Sequence, residues 1–167
     1  MEKYIIRSAQ ENDYCNMVEI YNSNREFLFH HLGIDAVDDD FVVQEVSTMY
    51  KAGFHSCVIV DQESLAVEGV LDYKPNSEVY LSLFMLSADL QKKGLGSNIY
   101  LQFERKMIED GKKSIRIDVV NDYQGNVVPF WKKQGFSEKE TIMLEWRNKK
   151  SNAVVMRKNW PMIASNL

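Results

Sequence analysis

The stretch Gln91-Lys92-Lys93-Gly94-Leu95-Gly96-Ser97 constrains this chain more than any other, because it joins two segments of opposite periodicity. Before it, Val79 to Leu86 is a run of β-branched, aromatic and large apolar side chains, the composition of a buried strand. After it, Leu95, Ile99, Phe103 and Met107 recur at every fourth position, the spacing of one helix face. The glycines therefore belong to a strand-to-helix turn. Gly94 and Gly96 leave main-chain N–H groups uncovered at the positive end of the helix dipole, and Lys92 and Lys93 add charge beside it. The turn predicts an anion site suited to a pyrophosphate. It is not a Gly-x-x-x-x-Gly-Lys-Ser/Thr phosphate loop, and Ile99 stands where a dinucleotide fingerprint has its third glycine.

The rest of the chain sets the context of that turn. Lys3 to Arg7 reads as a first strand, followed by Ser8-Ala9-Gln10-Glu11 as a capping box. Tyr14, Met17, Val18 and Tyr21 then share one helix face, which ends at Asn22-Ser23-Asn24. From Arg25 to Asp40 the periodicity fails and a loop with a ragged helical turn is expected. A second helix runs from Phe41 to near Gly53, with Asp38, Asp39 and Asp40 as cap and first turn, or as an acidic edge to a cationic acceptor site. Three strands follow, His55 to Val60, Leu65 to Tyr73 and Glu78 to Leu86, and the short turns between them require antiparallel pairing. The helix opened by Gly94 ends at Asp110-Gly111, and Ser114 to Val120 is a fifth strand, parallel to the one before the helix. Asn126 to Gln134 is a short helix with Pro129 in its first turn. Thr141 to Trp146 and Ala153 to Arg157 close the chain as a hairpin across Arg147 to Asn152.

Composition excludes several classes of function. A chain of 167 residues with 45% hydrophobic content is one domain's worth, residues 1–167, able to bury its own core. Cys15 and Cys57 lie in apolar periodic segments and read as buried free thiols, which suits a reducing cytoplasm. No stretch has the length of a membrane span, and Met1-Glu2-Lys3-Tyr4 lacks signal-peptide architecture. A formal charge of -4 argues against general nucleic-acid binding. His30 and His31 lack metal-ligand spacing to a Cys or second His pair, and no metal is expected.

Gln91-x-x-Gly94-x-Gly96 resembles the signature of the GNAT (N-acetyltransferase) superfamily, and Phe130-Trp131-Lys132-Lys133-Gln134-Gly135-Phe136 resembles that family's ending of its last helix. The resemblance covers Tyr4 to about Lys158. It implies an α/β (α+β) GNAT fold: a mixed, mostly antiparallel seven-stranded sheet flanked by about four helices, in the order β-α-α-β-β-β-α-β-α-β-β. It further implies an acetyl-CoA-dependent N-acetyltransferase that moves an acetyl group to a primary amine by direct attack in a ternary complex. The acceptor is then a small-molecule or peptide amine, and the protein a monomer or homodimer. A non-catalytic acyl-CoA-binding module of the same fold is the alternative.

The same resemblance assigns the site. Gln91, Lys92, Lys93, Gly94, Leu95, Gly96 and Ser97 take the pyrophosphate, while Phe84, Met85 and Leu86 offer main chain to the pantetheine arm where the fourth strand splays from the fifth. The Leu86 N–H is the oxyanion-type donor. Asn121 and Asn126 flank the place of the family's pantetheine-contacting Asn, which is Gln124 here. Trp131 replaces the family's tyrosine and packs against the coenzyme, because an indole N–H is no acid near neutral pH. An ammonium cannot attack, so a base is required; Glu78 is the choice by resemblance, ahead of Asp72 and Asp118.

Overall fold

The computed structural model describes residues 2–162. Its strands are β1 (Tyr4–Ser8), β2 (His55–Asp61), β3 (Val67–Lys74), β4 (Glu78–Leu86), β5 (Ser114–Val120), β6 (Ser137–Trp146) and β7 (Lys149–Asn159). They form one seven-stranded sheet in the order β1-β2-β3-β4-β5-β7-β6. Only β4 and β5 run parallel; every other neighbouring pair is antiparallel. The helices are α1 (Tyr14–Ser23), α2 (Arg25–Phe27), α3 (Asp39–Lys51), α4 (Leu95–Glu109) and α5 (Val128–Lys133).

Alternation along the strands divides the core between the two faces of the sheet. Ile59, Leu71, Val79, Leu81, Ile115 and Ile117 pack with Ile99, Tyr100, Phe103 and Met107 of α4 and Trp131 of α5. Val58, Val60, Val70 and Met85 point the other way, onto Met17, Ile20 and Tyr21 of α1 and Phe41 and Val42 of α3. The site lies between these layers, where β4 meets β5.

Several local expectations change in the folded chain. The first helical turn is held by Asp13, whose carboxylate accepts from the Gln10 N–H at 2.8 Å, while Ser8 ends β1. The segment after Asn24 is more helical than its pattern suggests: α2 runs into a π-helical turn, Leu28–Leu32, closed by Gly33 at φ 66°. It buries Leu28 and Leu32, two residues too few to show a period among the aromatic and polar neighbours between them. Asp38 does cap α3, accepting from the Phe41 N–H at 2.9 Å, with Asp39 and Asp40 exposed in the first turn. β3 begins at Val67, because Leu65 takes a left-handed turn conformation with φ 61°. The last hairpin turns tightly at Arg147 and Asn148, pairing Trp146 with Lys149, so Lys149 to Asn152 belong to β7 and not to a loop. Cys15 is exposed and Cys57 buried, both as free thiols.

Gly69 shapes the strand that carries the site. A Cβ there would stand 2.8 Å from the Met85 carbonyl oxygen and from Leu86 Cδ2, and 2.9 Å from Ile59 Cδ1. Backbone cannot yield to that without moving β4. Gly69→Ala is expected to lose about 2 kcal/mol of stability through overpacking. Denaturant unfolding checks this, and a variant as stable as the wild type would refute it.

Candidate active site

β4 and β5 are paired over only three positions, Glu78↔Ser114, Val79↔Ile115 and Tyr80↔Arg116. Beyond them β5 continues against β7 as far as Val120↔Ala153, while β4 continues against β3 as far as Leu86↔Gly69. The two strands therefore part, and the edge of β4 from Leu81 to Leu86 that faces β5 has no strand beside it. A bulge at Ser82, between Leu81↔Tyr73 and Leu83↔Asp72, bends β4 where the parting begins. Phe84 and Phe130 face each other across the helical side of this slot, with ring centroids 6.5 Å apart and planes 17° from parallel. Apolar walls and an unfinished strand edge suit an amide-bearing arm, which such an edge accepts as it would another strand.

At the mouth of the slot lies the turn into α4. Lys92 has φ 60° and Gly94 φ 77°, both left-handed, the backbone conformation from which anion-binding nests are built. Space beside Gly94 is open, whereas a Cβ on Gly96 would lie 3.5 Å from the Phe130 ring and 3.9 Å from Leu86 Cδ1. Lys92 and Lys93 are exposed. Ser97 Oγ accepts from the buried Gln134 side chain at 2.8 Å, which ties α4 to α5.

One residue that the sequence reading passed over organises this turn. Asn24, in the break after α1, donates to the Leu86 carbonyl at 3.0 Å and accepts from Gln91 Nε2 at 2.6 Å. Gln91 Nε2 also donates to the Leu86 carbonyl at 3.0 Å, and Ser23 Oγ accepts from the Ala88 N–H at 3.0 Å. The end of β4 is thus held by side chains from α1 and the residue after it. Asn22-Ser23-Asn24 signalled a helix end, and nothing local in the sequence shows that its side chains reach Leu86, Ala88 and Gln91.

The remaining expected site residues separate into two groups. Trp131 is buried and packs edge-on against Tyr100, Phe130, Phe136 and Phe84, with centroids 4.9–5.9 Å away. Asn121 is exposed beyond β5, with its N–H on the Asn152 carbonyl. The Asn126 side chain is engaged in its own turn, donating to the Tyr123 carbonyl and accepting from the Val128 N–H. Glu78 is not brought to the slot. It stands in the closed part of the β4–β5 pairing, its carboxylate 3.1 Å from Arg157 Nε.

Two carboxylates lie nearer the parting strands. Asp118 is bonded by both Arg116 Nε and Nη2 and by Tyr80 Oη at 2.9–3.0 Å, and burial, then the Asp118 charge, push the Tyr80 phenol upward. Asp72 pairs with Leu83 beside the bulge and is buried with Ser56 Oγ at 2.7 Å; burial pushes it up to about 6. On the same face, His30 stacks on Tyr123 at 3.9 Å and its carbonyl accepts from Ser151 Oγ, so the π turn packs against the ends of β5 and β7. Among the described residues no group of His, Cys, Asp and Glu is arranged to hold a metal, and no helix is long and apolar enough to cross a membrane.

A sheet opened between two parallel strands, with a glycine-built anion turn at the mouth, is the architecture of an acetyl-CoA-dependent acyltransferase. The sequence model of the acetyltransferase (GNAT) domain matches residues 28–159, and the chain belongs to that family. It is an N-acetyltransferase with acetyl-CoA as acyl-donating substrate. No protein of curated function matches it significantly by sequence. The spermidine N-acetyltransferase of Vibrio cholerae, solved with CoA and spermine, has the same fold at TM-score 0.73 and 13% identity, over 94% of this chain and 95% of that one. An acetyltransferase from Thermus thermophilus aligns at TM-score 0.73 and 17% identity, over 95% and 98%. A ribosomal-protein-alanine N-acetyltransferase from Brucella melitensis aligns at TM-score 0.67 and 19% identity, over 93% and 99%.

Proposed function

We propose that the chain, acting as one domain, acetylates a primary amine by direct attack while acetyl-CoA and acceptor are bound together. The observation that carries this is the parting of β4 from β5 after Tyr80, which opens a passage from the glycine turn to the opposite face of the sheet. In this reading the amides of Gly94 to Ser97, with Gln91, Lys92 and Lys93 around them, bind the pyrophosphate. The main chain of Phe84, Met85 and Leu86, on the edge of β4 that β5 leaves, receives the pantetheine arm, with Asn121 and Asn126 at its far side. The Leu86 N–H polarises the thioester carbonyl, and its fixed geometry comes from the Asn24 and Gln91 bonds to the same residue. Two neighbours of the fold take amines by name, a polyamine in one and a protein alanine in the other, which supports an amine acceptor here. Free thiols at Cys15 and Cys57 support a cytoplasmic setting.

The test is thiol release from acetyl-CoA across a panel of primary amines. Release that depends on the amine is expected; release at the same rate with no amine would overturn the reading. Trp131 enters as a packing residue. Its indole has four aromatic neighbours, so Trp131→Phe is expected to keep kcat within about tenfold, about 1.4 kcal/mol in barrier. A fall of about 100-fold at saturating acetyl-CoA in a folded variant would instead give the indole N–H a role in stabilising the leaving thiolate.

A further inference from the structure

On the sheet face covered by α1 and α3, a groove of about 240 Å³ separates Phe41, Glu45 and Thr48 of α3 from Trp146 and Arg147 of the β6–β7 hairpin. Phe41, Val46 and Trp146 belong to the same cluster as Leu83 and Met85, so the groove lies on the side toward which those β4 residues point. Asp72, paired with Leu83 beside the bulge of β4, is near enough for its charge to act on Glu45. The Glu45 side chain is partly buried and makes no hydrogen bond or ion pair among the described residues. The groove already holds a cation on a ring, since the Arg147 guanidinium sits 5.4 Å from the Phe41 centroid.

We propose that Glu45 draws the ammonium of a small primary amine into this groove and takes the proton that must leave before the nitrogen can attack. This rests on the amine-acetylating reading above and names its missing base. One N–H bond of the ammonium breaks and its proton joins the Glu45 carboxylate. The freed lone pair forms a C–N bond at the thioester carbonyl as the C=O pair moves onto oxygen. Return of that pair breaks the C–S bond, and sulfur leaves with its electrons. The second surplus proton on nitrogen passes to sulfur through solvent, giving amide and thiol, and Glu45 returns its proton to water.

The other carboxylates are less able to do this. Asp72 is 4% exposed and bonded to Ser56, Asp118 is held by Arg116 and Tyr80, and Glu78 lies at the closed end. Burial first, then the Asp72 charge, push the Glu45 carboxyl up to about 7, with Arg147 pulling it down. Glu145 also lines the groove, and the buried Tyr21 phenol of α1, pushed upward by burial and then by Asp72 and Glu45, stays neutral. Near neutral pH, Glu45 is thus divided between base and acid forms, as a general base requires. Because the raised pKa holds the proton on at low pH, activity rises with pH through this value.

The test is the pH profile of kcat/KM with phenethylamine and with spermidine. For Glu45→Gln we expect a loss of about 100-fold and disappearance of the limb near neutrality, with the acetyl-CoA melting shift intact. Asp72→Asn should keep activity and move the limb to lower pH, since it removes the charge that raises Glu45. Glu63→Gln, exposed in the turn between β2 and β3, should change neither. A Glu45→Gln enzyme within about threefold of wild type that keeps the limb would overturn the assignment. If that variant does not fold, Glu45→Asp and the displacement in Asp72→Asn decide, an unmoved limb counting against it. Wild-type enzyme that acetylates neither amine nor any other in the panel would sink the function itself, a result distinct from the loss of Glu45 alone.

Discussion

A Gly96→Val variant is expected to fold normally and to lose its response to acetyl-CoA. Wild-type protein at about 100 times the dissociation constant gains about 2.7 kcal/mol. For a domain of this size that is a rise of about 5–11 °C in melting temperature. A Cβ at Gly96 meets the Phe130 ring at 3.5 Å and Leu86 Cδ1 at 3.9 Å, ordinary contact distances, so Gly96→Ala should keep most of the shift. Valine adds two methyl groups on a stiff branch beside these neighbours and beside the main chain that the pyrophosphate must approach. The fold tolerates the change, because valine is no worse than glycine in a helix. Gly94 is constrained differently: nothing is near it, but its φ of 77° makes any side chain there a conformational strain. A Gly96→Val protein whose melting temperature rises with acetyl-CoA as the wild type's does would remove the glycine turn from the binding site.

Asp72→Asn is expected to stabilise the protein in alkaline buffer and to leave it unchanged in acid. Burial raises the Asp72 carboxyl from 3.8 to about 6, so between those values the native state holds a proton that the unfolded chain has lost. Stability from this group is full below the unfolded value and falls as pH rises to the folded one. Above it, the ionised carboxylate costs about 3 kcal/mol, of which the neutral amide, still accepting from Ser56 Oγ, should recover about 2. Urea unfolding at acid and alkaline pH measures the difference. Parallel stability curves for the two proteins would show that Asp72 carries no such penalty. The same substitution links stability to catalysis, since Asp72 also raises Glu45.

The strands and long helices were legible because their cause is local. Val79 to Leu86 and the Leu95, Ile99, Phe103, Met107 face state their period directly, and β4, β5 and α4 form where that period places them. Element ends were read less well, since turn geometry at Leu65 and Arg147 needs left-handed backbone at non-glycine residues. The π turn at Leu28–Leu32 was missed because its two buried leucines, one turn apart, are too few to show a period among Phe27, Phe29, His30 and His31.

The sequence by itself determined the glycine turn, the apolar strand before it and the order of elements, and with them the family. These are properties of neighbours along the chain, where backbone freedom and side-chain period act over a few residues. Only the tertiary structure decided that Asn24 clasps Leu86 and Gln91, that Glu78 is engaged by Arg157, and that Glu45 faces Trp146 across a groove. Those pairings join residues far apart in sequence, and their charges and hydrogen bonds depend on which strand leaves which, a fact that no local pattern carries.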